Sequence, residues 1–367
     1  MKFVFVSYVK SAGFKDPETW LQRINFYTGV LEALATRHTV ISIEQISYSG
    51  QYHQNGVHYY FRQHSALGRK LPFKLHRFIK KQRPDVVVVQ GLHFPLQVIQ
   101  LRALLGAKPC IMLQNHAERP FNGFKKYWQA LAGKYVNAYL FASGPMGMEW
   151  VERGNLKYPH KIHEVMEVSS VFKPVDKTLA LSKTGATGAP VFLWIGRLND
   201  NKDPLTVVTA FLKFAVAQPS ARLYMIYHTD ELLPQIKQLL VAAGKNPPII
   251  LIGRLAHDNL LYWLNSADFI LSGSHYEGSG TAVCEAMSCG CIPVVTNIPS
   301  FRMITHNGEC GLFYEAGNEQ ALLAALQQAL KADRAALKTK VLAHYHSSLS
   351  FAAIAGRFNE IAEGLLV

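Results

Sequence analysis

The amino-acid sequence predicts an α/β protein built from two doubly wound, Rossmann-like domains. Its 367 residues are more than one compact α/β core normally holds. Short, almost continuously apolar segments alternate with helical segments, which is typical of parallel sheets covered on both faces. This alternation stops once, in a stretch rich in Pro, Gly, Lys and Thr, and then restarts. We therefore predict domains at 1–175 and 191–349, a linker at 176–190 and a C-terminal helix at 350–367.

The N-terminal domain is predicted from five apolar segments with helical segments between them. The predicted strands are Lys2–Val9, Thr39–Ile43, Pro84–Val89, Cys110–Leu113 and Ala138–Ala142. The predicted helices are Glu18–Thr36, Pro72–Gln82, Leu96–Leu105 and Phe124–Tyr135. Strands and helices alternating at this spacing indicate a doubly wound α/β domain with a parallel sheet.

The C-terminal domain repeats the pattern. Its predicted strands are Val191–Ile195, Arg222–Tyr227, Ile249–Ile252, Phe269–Ser272 and Ile292–Thr296. The final segment predicts an amphipathic helix, because apolar residues recur three and four positions apart at Phe351, Ile354, Phe358, Ile361 and Leu365. Such a helix must pack on a domain, and the N-terminal domain is a candidate, although the spacing alone does not decide this.

Composition narrows the class of protein. With 49% hydrophobic and 17% charged residues, the chain can bury full cores and is not globally disordered. The apolar runs are far shorter than the roughly 18 residues that a membrane span requires. The segment Met1–Val9 is interpreted as a first strand rather than a signal peptide. Five cysteines without a CxxC pair favour a reduced, cytoplasmic protein with neither a disulfide framework nor a metal site.

The positive charge is confined to the N-terminal half. Residues 1–175 hold 23 Lys and Arg against 10 Asp and Glu, whereas residues 176–367 hold 15 of each. This asymmetry indicates an anionic partner, with a merely solubilising surface as the alternative.

One predicted helix concentrates this charge, since residues 68–84 contain seven cations and no acid. These cations are Arg69, Lys70, Lys74, Arg77, Lys80, Lys81 and Arg83. Its apolar face is expected to pack on the following strand, and its charged face to contact an anionic membrane. Nucleic acid is not expected, because no aromatic residues are interleaved with the charge in a known binding motif.

A glycine-rich segment in the C-terminal half has the pattern of a ligand site. Glu277 and Glu285 are separated by seven residues, with Gly278 and Gly280 directly after the first. A glycine-rich turn that leads into a helix N-terminus presents free N–H groups and a positive dipole end to a phosphate. Glu285, about one turn into the predicted helix, is placed to accept hydrogen bonds from a sugar diol.

A second pattern lies upstream, where the segment VFLWIGRLNDNK follows the linker. Gly196 ends a predicted strand, and Arg197 and Lys202 follow it. Open α/β sheets bind ligands outside the carboxyl ends of their strands. Two cations at this position would neutralise a diphosphate.

Taken together, GRLNDNK and EGSGTAVCEAMSCGCIPVV resemble the retaining glycosyltransferases of the GT-B fold, of the family 4 (group 1) type. The resemblance is strong over residues 191–315 and weak in the N-terminal half. It implies two Rossmann-like domains facing across a cleft. It also implies hexosyl transfer from a UDP- or GDP-sugar, with no bound cofactor and no required metal.

The resemblance also implies a role for each matching residue. Arg197 and Lys202 would bind the donor diphosphate and stabilise its developing charge, and Glu277 would hold hydroxyls of the transferred sugar. Glu285 would hold the ribose, and His116 would lie near the donor sugar and the acceptor. The remaining expected donor contacts are Gly13, Gly196, Gly253, Arg254, Gly278, Ser279, Gly280 and Thr281.

These observations predict an enzyme that glycosylates a glycan or a lipid-linked acceptor during cell-surface polysaccharide or lipopolysaccharide assembly. The basic N-terminal domain would bind the acceptor, in the cytoplasm at the inner membrane surface. Two alternatives stay open. One is another GT-B nucleotide-sugar enzyme that acts on a small soluble acceptor. The other is a non-catalytic protein that binds nucleotide sugars or nucleic acid.

Overall fold

A computed structural model describes residues 1–63, 68 and 70–366, and this part of the chain forms two compact units. The N-terminal unit comprises Met1–Ser169 and the chain from Phe351 onward, and the C-terminal unit comprises Ser170–Ser350. Arg69 of the predicted basic helix lies outside the described residues.

The N-terminal unit is built on a sheet that is eight-stranded within the described residues, in the order β3-β4-β2-β1-β5-β6-β7-β8. Its strands are β1 (Lys2–Ser7), β2 (Thr39–Glu44), β3 (Gly50–Gln54), β4 (Val57–Phe61), β5 (Val86–Gln90), β6 (Cys110–Gln114), β7 (Ala138–Phe141) and β8 (Ile162–Glu164). Only the β3–β4 pair is antiparallel among these described strands. The connections reverse direction between β1 and β5, which makes this the topological switch point of the sheet.

Helices cover this sheet. They are α1 (Pro17–Arg23), α2 (Asn25–Ala35), α3 (Phe73–Lys81), α4 (Pro95–Leu105), α5 (Lys125–Ala132), α6 (Gly144–Glu152) and the C-terminal α15 (Phe351–Leu366). Helix α15 packs on α2, where Phe351 occupies the space that a side chain at residue 29 would need. The ring of Phe358 lies 5.9 Å from that of Phe5 in the core. The amphipathic tail therefore belongs to the N-terminal unit.

Two features of this unit differ from the sequence prediction. The β3–β4 hairpin was not predicted, although Asn55 and Gly56 form the left-handed turn (φ 48° and 82°) that an Asn-Gly pair favours. The single helix predicted at 18–36 is two helices, because Ile24 leaves helical geometry at φ −109°, ψ 22°. Both differences are local breaks that apolar periodicity does not register.

The C-terminal unit has a sheet that is parallel throughout the described residues, in the order β11-β10-β9-β12-β13-β14. Its strands are β9 (Val191–Gly196), β10 (Arg222–Tyr227), β11 (Ile249–Gly253), β12 (Phe269–Ser272), β13 (Ile292–Thr296) and β14 (Leu312–Tyr314). Its helices are α7 (Lys177–Thr184), α8 (Pro204–Ala217), α9 (Leu233–Ala242), α10 (Leu260–Ser266), α11 (Thr281–Ser288), α12 (Pro299–Ile304), α13 (Glu319–Lys331) and α14 (Arg334–His344). The topological switch point falls between β9 and β12. The prediction of two doubly wound α/β sheets is confirmed. No helix within the described ranges combines the length and the hydropathy that crossing a membrane would take.

The linker predicted at 176–190 is instead part of the C-terminal unit. Asp176 caps helix α7 by accepting a hydrogen bond from the Leu179 amide at 2.9 Å, and Ala180 is fully buried against the unit. Lys177 forms an ion pair with Asp268. The Pro-, Gly- and Lys-rich composition is typical of a linker, but the cap and one buried alanine make the segment a packed helix. The boundary between the units accordingly lies at residue 169 rather than 175.

We expect Phe358→Ala to destabilise the N-terminal unit by about 3–5 kcal/mol, because it leaves a cavity beside Phe5 in a packed core. Urea denaturation of the full chain measures the loss. The exposed Glu363 on the same helix provides the matched control, and Glu363→Ala should leave the free energy of unfolding almost unchanged. Equal stability of the two variants would show that α15 does not hold this unit together.

Candidate functional site

Two loops at the switch point of the C-terminal sheet are tied together. One follows β9 and the other follows β12, and both lie at the carboxyl edge. His275 donates a backbone hydrogen bond to the Asn201 carbonyl at 2.8 Å, and the Asn201 amide donates to the Tyr276 carbonyl at 3.0 Å. A side chain at Gly273 would lie within 3.0 Å of the backbone oxygens of residues 202 and 203. Glycine at this position is therefore what allows the two loops to touch.

This contact brings together Lys202 and Glu277, which are 75 residues apart in the sequence. The Lys202 ammonium forms an ion pair with Glu277 Oε1. The Ser274 hydroxyl donates to the same carboxylate oxygen at 2.6 Å. Both charged side chains are mostly buried, with exposed fractions of 21% and 14%. The pair is a preformed polar centre in which the ammonium retains hydrogen-bonding capacity for an anion.

Arg197 provides a second cation on the β9 loop. Gly196 ends β9, and the neighbouring Leu198 is fully buried and donates its backbone N–H to Thr229 at 2.8 Å. The Arg197 side chain is exposed and has no ion-pair or hydrogen-bond partner among the described residues. A fixed backbone with a free guanidinium suits bidentate binding of a phosphate.

The glycine-rich turn leads directly into helix α11. Gly280 is the N-terminal cap residue, with φ 57°, and a Cβ there would lie 2.7 Å from the ring of Phe301. No side chain among the described residues caps this helix end. Gly278 and Ser279 are buried before it, and the helix continues from Thr281. Lys202, Glu277 and Gly280 line one small recess. The helix N-terminus therefore presents its amides beside the lysine–glutamate pair.

Glu285 lies one turn further along α11 and has a partner that the sequence did not reveal. Its carboxylate is 2.8 Å from Nε2 of His257, in the turn after β11. The His257 ring packs on Phe172, with ring centroids 4.7 Å apart. The carboxylate is 8% exposed, and the histidine holds one of its oxygens. No spacing rule links residues 257 and 285, so the sequence does not predict that His257 contacts Glu285.

The strand end of β11 contributes the remaining predicted positions of this unit. Gly253 ends the strand with φ 81°, a conformation that glycine adopts without strain, and Arg254 is exposed directly after it. They lie at the same carboxyl edge as the β9 and β12 loops, two strands away from β9.

The other two predicted residues lie in the N-terminal unit. Gly13 occupies an exposed turn after β1, where a Cβ would meet no other atom within 4 Å. His116 follows β6. Its Nδ1 is 2.6 Å from the Glu167 carboxylate, and its Nε2 faces the Gln90 carbonyl oxygen. Both ring nitrogens therefore face oxygen atoms, an arrangement that favours the protonated ring.

The electrostatics of His116 agree with this geometry. Burial works to lower the pKa of His116, but the hydrogen bond and charge of Glu167, with the charge of Glu118, outweigh it and raise this pKa. Glu118 also fixes the loop by accepting hydrogen bonds from the His116 amide at 2.7 Å and the Leu92 amide at 3.1 Å. Neither Glu167 nor Glu118 was predicted. Glu167 is 51 residues from His116, and only the folded sheet brings them together.

Residues 177–341 match the family described as "Glycosyl transferases group 1". The matched residues lie within the C-terminal unit, Ser170–Ser350, which we call the group 1 unit. The match includes all of the cations, glycines and carboxylates located above in that unit.

Three known proteins are similar to this chain. The lipopolysaccharide core biosynthesis mannosyltransferase LpsB of Rhizobium meliloti is 24% identical over 237 residues, which are 63% of this chain and 64% of that protein. The GDP-mannose:cellobiosyl-diphosphopolyprenol alpha-mannosyltransferase of Xanthomonas campestris is 27% identical over 173 residues, 45% of this chain and 44% of that protein. This chain thus spans less than two thirds of either relative. The structure of Anabaena HepE in complex with UDP and glucose superimposes with a TM-score of 0.72 at 14% identity, covering 99% of this chain and 100% of that one. The last similarity shows the GT-B fold.

The group 1 unit also contains four of the five cysteines. All five are buried thiols outside any disulfide, and burial raises the pKa of the Cys289 thiol to about 11. Among the residues with a described position, no three His, Cys, Asp or Glu side chains form a group that could hold a metal ion. Buried thiols of this kind pack as small apolar side chains.

We expect the pKa of His116 to lie above its ordinary value of about 6.5 and to fall in Glu167→Gln, because the opposing carboxylate is removed. Because the folded-state pKa is raised, the stabilisation from this proton is complete below the unfolded-state pKa and is lost as the pH rises through the folded-state pKa. NMR titration of the imidazoles measures the His116 pKa in the wild type and in Glu167→Gln, and His116→Asn assigns the signal. Glu149→Gln, which removes a carboxylate paired with Arg153, should leave the titration unchanged. The same His116 pKa in Glu167→Gln as in the wild type would show that Glu167 does not raise it.

Proposed function

We propose that the chain is a retaining family 4 glycosyltransferase. It moves a hexosyl group from a nucleotide-diphosphate sugar to a glycan or lipid-linked acceptor in cell-surface polysaccharide or lipopolysaccharide assembly. The observation that carries this proposal is the Lys202–Glu277 pair at the switch point of the group 1 unit, with the N-terminus of α11 beside it. A cationic centre, a carboxylate and helix amides converge there at the position where open α/β sheets bind nucleotides.

The diphosphate would be held by Arg197, Lys202 and the backbone amides of 278–281. Glycosyl transfer requires a stabilised leaving group more than a strong base, and preorganised cations and amides supply that stabilisation. Lys202 is held near the site before any ligand binds, because Glu277 and the β12 loop fix it. In this account the chain's own cations neutralise the leaving phosphate, and no resident metal is assigned.

The sugar and the nucleoside would be recognised by the two carboxylates. Glu277, fixed by Lys202 and Ser274, would accept hydrogen bonds from hydroxyls of the transferred sugar. Glu285 would accept from the ribose diol, using the oxygen that His257 leaves available. Gly253 and Arg254 would lie toward the base. UDP and GDP are the favoured nucleotides, since the structural neighbour holds UDP and the Xanthomonas relative is named for GDP-mannose.

The proposed reaction retains the configuration of the anomeric carbon. The bond from that carbon to the phosphate oxygen breaks while a bond to the acceptor oxygen forms on the same face. The acceptor proton passes to the leaving phosphate, so that no separate strong base is needed. His116 is proposed as an acceptor-side residue of the basic N-terminal unit, where its protonated ring would donate to a substrate oxygen once Gln90 or Glu167 releases it.

A thermal-shift titration with UDP, GDP, ADP, TDP and CMP tests the donor site. We expect one diphosphate to stabilise the wild type by about 2.7 kcal/mol at 100 times its Kd. Glu285→Gln should weaken the binding of that nucleotide at least about tenfold, because a hydrogen bond to a charged acceptor is lost. Glu231→Gln, an exposed change in the same unit, is the control.

The outcomes separate the alternatives. A nucleotide that stabilises the wild type and Glu285→Gln equally, or no response to any nucleotide, would contradict the donor site. Nucleotide binding without donor turnover would support a non-catalytic binding protein. Turnover on a soluble sugar without any lipid would support the small-acceptor alternative.

A further inference from the structure

Three neighbouring helices of the N-terminal unit expose apolar side chains at the same end. Helix α4 packs against α3 on one side and α5 on the other. Each of the three connects two parallel strands, so each begins at the carboxyl edge of the sheet. The exposed residues at these helix starts are Leu71, Phe73, Leu96, Phe124, Tyr127 and Trp128, which we call the apolar rim.

The rim is unusual for a protein surface. Phe124 and Tyr127 are 73% and 61% exposed, and Trp128 follows on the same face of α5. Residues 124, 127, 128 and 131 recur at the spacing that normally faces a core, yet here this face is turned outward. The rings of Phe124 and Tyr127 lie 6.1 Å apart, and neighbouring exposed aromatic side chains of this kind are typical of an interaction site.

The charge around the rim favours an anionic partner. Between residues 70 and 134 the sequence holds 12 Lys and Arg but only two acids. Both acids have partners within the protein. Asp85 accepts a hydrogen bond from the Lys2 amide at 2.7 Å, and Glu118 accepts one from the His116 amide. Lys70, Lys74 and Lys125 are exposed beside the apolar side chains. A surface that is both aromatic and cationic is complementary to an anionic lipid interface, where Trp and Tyr reside among headgroups.

We propose that the apolar rim inserts into an anionic membrane surface, with the surrounding lysines on the lipid headgroups. The biological role of this membrane contact rests on the proposed function. The contact places the membrane at the carboxyl edge of the N-terminal sheet, which is also the edge at which His116 lies. A lipid-linked acceptor would then reach this edge without leaving the bilayer. The basic face of α3 contributes charge, and the aromatic residues of α5 provide the insertion.

Flotation with vesicles of phosphatidylcholine, with and without phosphatidylglycerol, tests the rim directly. We expect salt-sensitive binding to the anionic vesicles only. The double variant Phe124→Ser/Tyr127→Ser should bind about tenfold or more weakly, because apolar burial in the interface is lost. Lys70→Glu/Lys74→Glu should weaken binding to the anionic vesicles by at least about fivefold for each reversed charge.

Matched variants control for nonspecific effects. Val216→Ser/Val241→Ser removes two apolar side chains that are about equally exposed in the C-terminal unit, and Lys237→Glu/Lys331→Glu reverses two exposed cations there. Both should bind vesicles like the wild type. Circular dichroism checks folding, and nucleotide-induced thermal shifts should be the same in all variants, so failure of the donor site and failure of the membrane surface are distinguished.

Three results would overturn the proposal. The first is that the wild type and Phe124→Ser/Tyr127→Ser bind anionic vesicles equally well, or that neither binds them. The second is self-association of the wild type in sedimentation experiments that this double variant abolishes, which would make a second copy the occupant. The third is binding of single-stranded nucleic acid in place of vesicles, with the same dependence on Lys70 and Lys74.

Discussion

The close contact between the loops after β9 and β12 is the constraint on which the candidate site depends. It exists because Gly273 has no side chain, which lets the backbone of residues 202 and 203 come within van der Waals range of the β12 strand end. Two backbone-directed hydrogen bonds through Asn201 then lock the loops. The Lys202–Glu277 pair follows from this contact. A mostly buried ion pair is costly to desolvate, and its retention at a strand edge suits a binding role better than a stabilising one.

The two units use the same topology to place different chemistry. In the group 1 unit the switch point lies between β9 and β12 and collects cations, carboxylates and a helix N-terminus. In the N-terminal unit the switch point lies between β1 and β5, and His116, held by Glu167 and Gln90, follows the neighbouring β6. The charge asymmetry of the sequence fits this division: the C-terminal unit proposed to bind the donor is balanced in charge, and the unit proposed to receive an anionic or membrane-bound acceptor is basic.

Much of the fold was predictable because buried parallel strands are nearly continuous apolar runs, and β1, β5, β9 and β12 are of this kind. The C-terminal motif named Lys202, Glu277 and Glu285, and in the structure these residues lie in the loops after β9 and β12 and in the first turns of α11. What the sequence did not predict depends on local breaks or on distant contacts. The hairpin after β2 is too polar to register as buried strand. The partners of His116 and Glu285 are brought close only by tertiary packing, which spacing does not encode.

Calorimetric titration of the diphosphate and monophosphate forms of one nucleotide, UDP or GDP, into the wild type and Lys202→Met tests the account most directly. If Lys202 binds the donor diphosphate, the extra phosphate strengthens binding to the wild type, and most of this gain disappears in Lys202→Met while monophosphate affinity is retained. A gain of the same size in both proteins would contradict the assignment of the Lys202–Glu277 pair as the diphosphate site.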